Sequence, residues 1–136
     1  SCKVEASLIP NLIDELPILF IASIFATGDS EFFGVEELRH KESDRLSAMQ
    51  SGLKNIEIET IYNSGKLTIE GKGGDYLIDS GTVDSFEDHR IAMAFIIAGL
   101  RSKKNLVVKN TDCIKTSFPE FSYLLDSLGA KINEIQ

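Results

Sequence analysis

Two stretches of the chain are apolar almost without interruption: "DELPILFIASIFA" from Asp14 and "DHRIAMAFIIAGL" from Asp88. Apolar residues on every side predict helices buried on several sides. Asp14 and Asp88 are the expected N-caps, because a short carboxylate accepts the free amides of a first turn. Pro17 is tolerated in such a turn. "SEFFGVE" and "NLVVKN" read as buried strands. Two further helices are amphipathic. Leu46, Met49 and Leu53 form one stripe, and Phe121, Leu124, Leu125 and Leu128 form another, with Gly129 as its stop. Ser43 is the expected N-cap of the first, and Ser117 with Glu120 makes a capping-box pattern for the second. Alternation on both sides of Asn63-Ser64-Gly65 predicts a β-hairpin, and "DYLIDSG" predicts one more short strand.

These elements recur. Offset by 74 residues, Asp14 falls on Asp88, Phe32 and Phe33 on Leu106 and Val107, Lys41 on Lys115, Ser43 on Ser117 and Ile58 on Ile132. The order of apolar blocks agrees where identities are few. The pattern predicts two βαβαββ-like units, about 8–72 and 73–136, each burying a central helix against a sheet and a second helix.

The 136 residues suffice for one ordinary domain, and 43% hydrophobic with 26% charged content is that of a soluble globular protein. A net charge of -7 argues against a broad nucleic-acid-binding face but leaves room for a local anion site. Cys2 and Cys113 form no C-x-x-C and read as reduced cytosolic thiols. The apolar run Leu16–Ala26 is too short to span a bilayer, and no basic segment precedes it as in a signal peptide. These features predict a cytoplasmic protein without a membrane partner. No initiator Met is present, which is expected of a processed chain or of a piece of a longer one.

Against the acidic background, "LRHKESDRL" (Leu38–Leu46) concentrates Arg39, His40, Lys41 and Arg45 around Glu42 and Asp44. Acids at a helix start are ordinary capping. Cations there oppose the helix dipole and need compensation, either from Glu42 and Asp44 or from a bound anion. Lys115 repeats the arrangement two residues before Ser117. His89 and Arg90 stand at the mouth of the second buried helix, where an Arg needs a carboxylate or an anion. Both histidines lie in these clusters, and a plain hydrogen-bonding role is as good a reading as acid–base work. Two histidines with no further ligand pattern make a poor metal site. "GKGG" (Gly71–Gly74) lacks phosphate-loop spacing and reads as a turn. The residues alone predict a crevice where Lys41, Arg45, Arg90 and Lys115 converge on anions, with Asp14 and Glu42 available for proton transfer.

"DELPIL", "LRHKESDRL", "DHRIAMAF" and "KTSFPEF", in this order and spacing, resemble the 5-enolpyruvylshikimate-3-phosphate synthase family over nearly the whole chain. The resemblance implies an α+β fold of the α/β prism type, with helices inside and sheets outside, part of an inside-out α/β barrel domain. It implies transfer of enolpyruvyl from phosphoenolpyruvate to the 5-hydroxyl of shikimate 3-phosphate with release of phosphate, and no metal or organic cofactor. By position, Asp14 matches the proton acceptor on the 5-hydroxyl, and Glu42 matches the carboxylate handling the C3 proton. Arg45, Arg90 and Lys115 match phosphoenolpyruvate ligands, and Lys41 lies on the shikimate phosphate side. Asp88 and His89 match site-lining residues. Glu37 stands at a site-lining position where some members carry Asn, a departure that bears on the substrate contact there.

Family members are much longer and have two domains. This chain matches two of the three units of one domain, at the C-terminal end. The resemblance therefore predicts a missing N-terminal part holding further ligands, an inactive isolated chain, and apolar helix faces left open to self-association. The sister family acting on UDP-N-acetylglucosamine shares the fold but not the K-E-S-D-R signature. A non-catalytic anion-binding module and a purely structural repeat protein are the competing expectations.

Overall fold

The computed structural model describes residues 1–135, and its chain begins with a parallel crossover. Strand β1 (Lys3–Val4) leads through a 3-10 turn (Ala6–Leu8) and α1 (Ile9–Leu12) into α2 (Leu16–Ile24). Strand β2 (Ser30–Phe33) then returns parallel to β1, pairing Lys3 with Glu31 and Val4 with Phe32. A second 3-10 segment (Val35–His40) leads to α3 (Arg45–Asn55) and the hairpin of β3 (Thr60–Asn63) and β4 (Lys66–Ile69). β4 pairs antiparallel with β2, giving the sheet order β1-β2-β4-β3. The hairpin turn is Ser64-Gly65, both at positive φ (49° and 79°), the twist that suits a two-residue connection.

The second half repeats the crossover. β5 (Gly81–Asp84), α4 (His89–Gly99) and β6 (Leu106–Lys109) form a parallel pair with a helix across it, in register from Gly81–Leu106 to Asp84–Lys109. Short α5 (Cys113–Ser117) and α6 (Phe121–Ser127) follow. No strand follows α6 among the described residues, so Ile132 lies outside any strand.

The helices α2, α3 and α4 lie between the sheets, as their composition demands. Leu16, Phe20 and Ile24 of α2, Leu46, Met49 and Leu53 of α3, and Ile91, Phe95 and Ala98 of α4 are all fully buried. They form one core with Phe32, Leu67 and Ile69 of the first sheet and Val83 of the second. The Phe20 and Phe32 rings meet edge-on at 4.8 Å, a favourable aromatic geometry. A smaller core of Ala92, Ile114, Phe121 and Leu125 fixes α6 against α4. Leu124 and Leu128, on the same predicted stripe, are exposed instead.

Several helix starts differ from expectation. α2 begins at Leu16, with Glu15 at the cap position and no side-chain cap. Asp14 is occupied elsewhere. α3 is capped by Asp44, which accepts from the Ser47 amide at 3.0 Å, and not by Ser43. Ser117 ends α5 and Glu120 makes no cap bond, so the capping box does not form. The cause is Pro119, which drives Phe118 out of the helical region (φ -148°, ψ 75°) and splits the helix. "DYLIDSG" is not a strand. Ile78 makes one isolated bridge to Ser102, and the strand proper starts at Gly81. Asp88 does cap α4, accepting from the Arg90 amide. Gly129, at φ 90°, ends α6 as predicted, with the Ala130 amide reaching Leu125 and that of Gly129 reaching Asp126.

Candidate active site

The site is built at the meeting of three chain segments: the turn before α2, the loop before α3 and the start of α4. Arg45 occupies the first position of α3, and its side chain is 0% exposed. An isolated buried guanidinium is prohibitively costly, so it must be paired. Its Nε donates to Asp88 Oδ2 at 2.7 Å, its Nη1 to Asp14 Oδ1 at 2.9 Å and its Nη2 to Glu42 Oε2. One cation thus gathers three carboxylates from three segments.

The carboxylates are not equivalent. Asp88 is 0% exposed, whereas Asp14 and Glu42 are 46% and 58% exposed. Asp88 is saturated from within the protein. Its Oδ1 accepts from the Arg90 amide at 3.0 Å, and its Oδ2 also accepts from Ser43 Oγ at 3.0 Å. Burial pushes the Asp88 carboxyl up, but the Arg45 hydrogen bond and charge outweigh it and hold the group below its ordinary value. Asp14 follows the same balance: burial raises it, while Arg45, Arg90 and Lys41 together bring it lower. It therefore stays ionised.

Arg90 reaches back across the site, its Nη1 donating to the Asp14 carbonyl at 3.0 Å and to Glu15 Oε1 at 3.2 Å. Lys41 is the least committed cation, its Nζ 3.9 Å from Asp14 Oδ1. Asp14 and Arg90 form the polar rim of an open cleft between α2 and α4, with Pro17, Ile18, Met93, Ala94, Ile97 and Phe121 as its apolar wall. The structure thus brings together Asp14, Lys41, Glu42, Arg45, Asp88 and Arg90. Lys115 stands apart, 65% exposed and paired with Asp112 at 2.8 Å. That bond and charge raise its pKa. Glu37 and His40 are exposed, and His89 is half-buried at the start of α4. Arg39 lies outside the cluster, bonded to Asp44 and Ser47 and set over the Tyr62 ring at 5.2 Å. Among the described residues no three His, Cys, Asp or Glu side chains group as a metal site would need. No single described helix is long and apolar enough to cross a membrane.

Two partners are not legible in the sequence: Ser43 reads as a cap but bonds Asp88, and Glu15 carries no signal but bonds Arg90. Ser43 and Asp44 are adjacent cap-forming residues, and only the folded geometry separates them.

The family model described as EPSP synthase (3-phosphoshikimate 1-carboxyvinyltransferase) matches residues 1–125. The chain belongs to the EPSP synthase family. The 3-phosphoshikimate 1-carboxyvinyltransferase of Magnetococcus marinus is 42% identical over 133 residues, covering 98% of this chain and 30% of the relative. That of Brucella melitensis biotype 1 is 45% identical over 125 residues, covering 92% and 28% respectively. A solved EPSP synthase of Acinetobacter baumannii superposes with a TM-score of 0.88 at 38% identity, covering 97% of this chain and 30% of that one. The fold is thus that of EPSP synthase, the inside-out α/β barrel class. The chain spans about 30% of the length of the relatives that it matches.

Proposed function

We propose that the chain carries one side of the active site of an enolpyruvyl transferase, which moves the enolpyruvyl group of phosphoenolpyruvate to the 5-hydroxyl of shikimate 3-phosphate. The observation that carries this is the convergence of Asp14 and Glu42 on the two terminal nitrogens of Arg45, beside Arg90 and Lys41. Such a site offers two partly exposed carboxylates for proton traffic among cations for anionic substrates. Asp14, kept ionised, takes the proton of the 5-hydroxyl as that oxygen bonds to C2. Glu42 delivers a proton to C3. Glu42 then takes a proton back from C3 as phosphate leaves C2, which restores the double bond and completes the transfer.

In this proposal Arg45, Arg90 and Lys115 hold phosphoenolpyruvate, Lys41 serves the phosphate of the shikimate, and Glu37, Asp88 and His89 line the site. Every cation of the cluster already faces a carboxylate or a carbonyl. Substrate anions must therefore displace Asp14, Glu42 and Glu15 from Arg45 and Arg90. That exchange frees the carboxylates for proton transfer as substrate arrives. Lys115 would have to leave Asp112 and swing inward when the site is complete, as closure of an active site commonly requires.

We further propose that the chain is one partial domain made of two copies of one unit, about 8–72 and 73–136, supported by the two β-α-β crossovers. It works in the cytoplasm joined to the remaining part of the enzyme, and alone it is inactive and self-associates. The test is a fusion of the N-terminal part of the Magnetococcus marinus relative to this chain. The fusion is expected to release phosphate only when both substrates are present, while the chain by itself does not. Turnover with UDP-N-acetylglucosamine as acceptor, or anion binding without turnover, would overturn the proposal.

A further inference from the structure

We propose that Ser43 is a positioning residue that sets the orientation of Arg45 through Asp88, an inference that rests on the anion-binding role given to Arg45 above. The Ser43 hydroxyl takes no part in capping its own helix. Asp44 caps α3, and the Ser43 hydroxyl instead crosses 45 positions to donate to Asp88 Oδ2 at 3.0 Å. That oxygen is the one that accepts from Arg45 Nε at 2.7 Å.

The two ends of Arg45 are held differently. Its Nε end is fixed to a carboxylate with no exposure, itself tied to the Arg90 amide at the N-terminus of α4. Its terminal nitrogens meet Asp14 and Glu42, which are partly exposed and can turn to water when an anion arrives. A planar guanidinium recognises a carboxylate or phosphate only in a defined orientation, so the fixed end decides where the free end points. Ser43 supplies the second side-chain bond to Asp88 Oδ2. It also tethers the loop bearing Lys41 and Glu42 to the start of α4. Without its hydroxyl, Asp88 keeps Arg45 paired but no longer fixes its plane, and the loop loses its bond to α4.

The first measurement follows the Arg45 Nε–H resonance of this chain by nitrogen-15 NMR. Ser43→Ala is expected to speed its hydrogen exchange roughly tenfold, the worth of one bond to a charged group, while Ser43→Thr keeps it slow. In the fusion, Ser43→Ala is expected to raise KM for phosphoenolpyruvate roughly tenfold with a smaller effect on kcat, and Ser43→Thr to restore it. Unchanged exchange in Ser43→Ala overturns the inference, as does faster exchange with an unchanged KM. A fusion inactive with Ser43 in place overturns the proposed function instead. The exchange measurement then still decides whether Ser43 holds Arg45.

Discussion

Arg45 and Asp88, 43 positions apart, share a 2.7 Å bond between Nε and Oδ2, and neither side chain is exposed to solvent. Removing one partner leaves a buried charge without compensation, which costs more than the pair itself is worth. Arg45→Ala is therefore expected to lower the stability of the chain by about 3–5 kcal/mol, read as a shift in the urea midpoint at constant slope. Arg45→Lys should recover only part of this. One ammonium cannot meet three carboxylates that approach three different nitrogens. Full recovery with Lys would show that the charge alone, and not the fork, holds the three segments together.

The same pair sets an acid limit. Asp88 in the folded chain lies below its ordinary pKa of 3.8, because Arg45 more than offsets burial. In the unfolded chain the carboxyl returns to the ordinary value. The folded state then binds this proton less readily, so the contribution is fully present above about pH 4 and is lost as pH falls through the lowered folded value. Asp14 and Asp44 shift in the same direction and add to the fall, less strongly because they are partly exposed. Stability should stay nearly level from pH 7 to 5 and drop below 4. Asp88→Asn should begin lower and drop less. An equal acid slope in both proteins would remove Asp88 from the explanation.

What the sequence disclosed followed the range of each signal. The apolar runs of α2 and α4, the Ser64-Gly65 turn and the Gly129 stop are local, and each forms where its residues place it. Asp14 has the right type for a cap, but a tertiary partner, Arg45, is 31 positions away and takes it. Glu57 ends α3 at φ 62° with the pattern of bonds that Gly129 makes for α6, yet nothing in its side chain announces that. The Pro119 break is legible from the rule on residues before proline, which outweighs the local capping-box pattern of Ser117 and Glu120. At the site, the charge types were readable, but their pairing was not. Which cation meets which carboxylate depends on the packing of α3 against α4.

Gly52 marks that packing. A Cβ there would lie 2.3 Å from Phe95 Cζ and 3.0 Å from Val83 Cγ1, with the Phe95 ring itself fully buried. On an exposed helix Gly→Ala gains up to about 1 kcal/mol, but overpacking a core costs about 1–3 kcal/mol. Here the overlap is with a ring that has nowhere to turn, so Gly52→Ala should destabilise by about 1–2 kcal/mol. Pairing it with Phe95→Leu should cost less than the two single changes added together, because the smaller side chain vacates the space the methyl needs. Simple additivity would mean that α3 and α4 move apart at no cost.

Lys115 offers a separation of stability from function. Its ammonium is exposed, bonded to Asp112 three positions earlier at 2.8 Å and 4.0 Å from Glu134 beyond α6. Such a pair does little for the fold, so Lys115→Ala should leave the melting curve of the chain unchanged. If this lysine swings inward to hold phosphoenolpyruvate, the same change in the fusion should raise KM for that substrate by roughly an order of magnitude or more, the worth of a charge-assisted hydrogen bond. Asp112→Asn gives the opposite sign. It releases Lys115 from its resting partner and should lower KM, since less has to be broken before the substrate is met. A fusion in which neither change moves KM would return Lys115 to the role of a surface lysine.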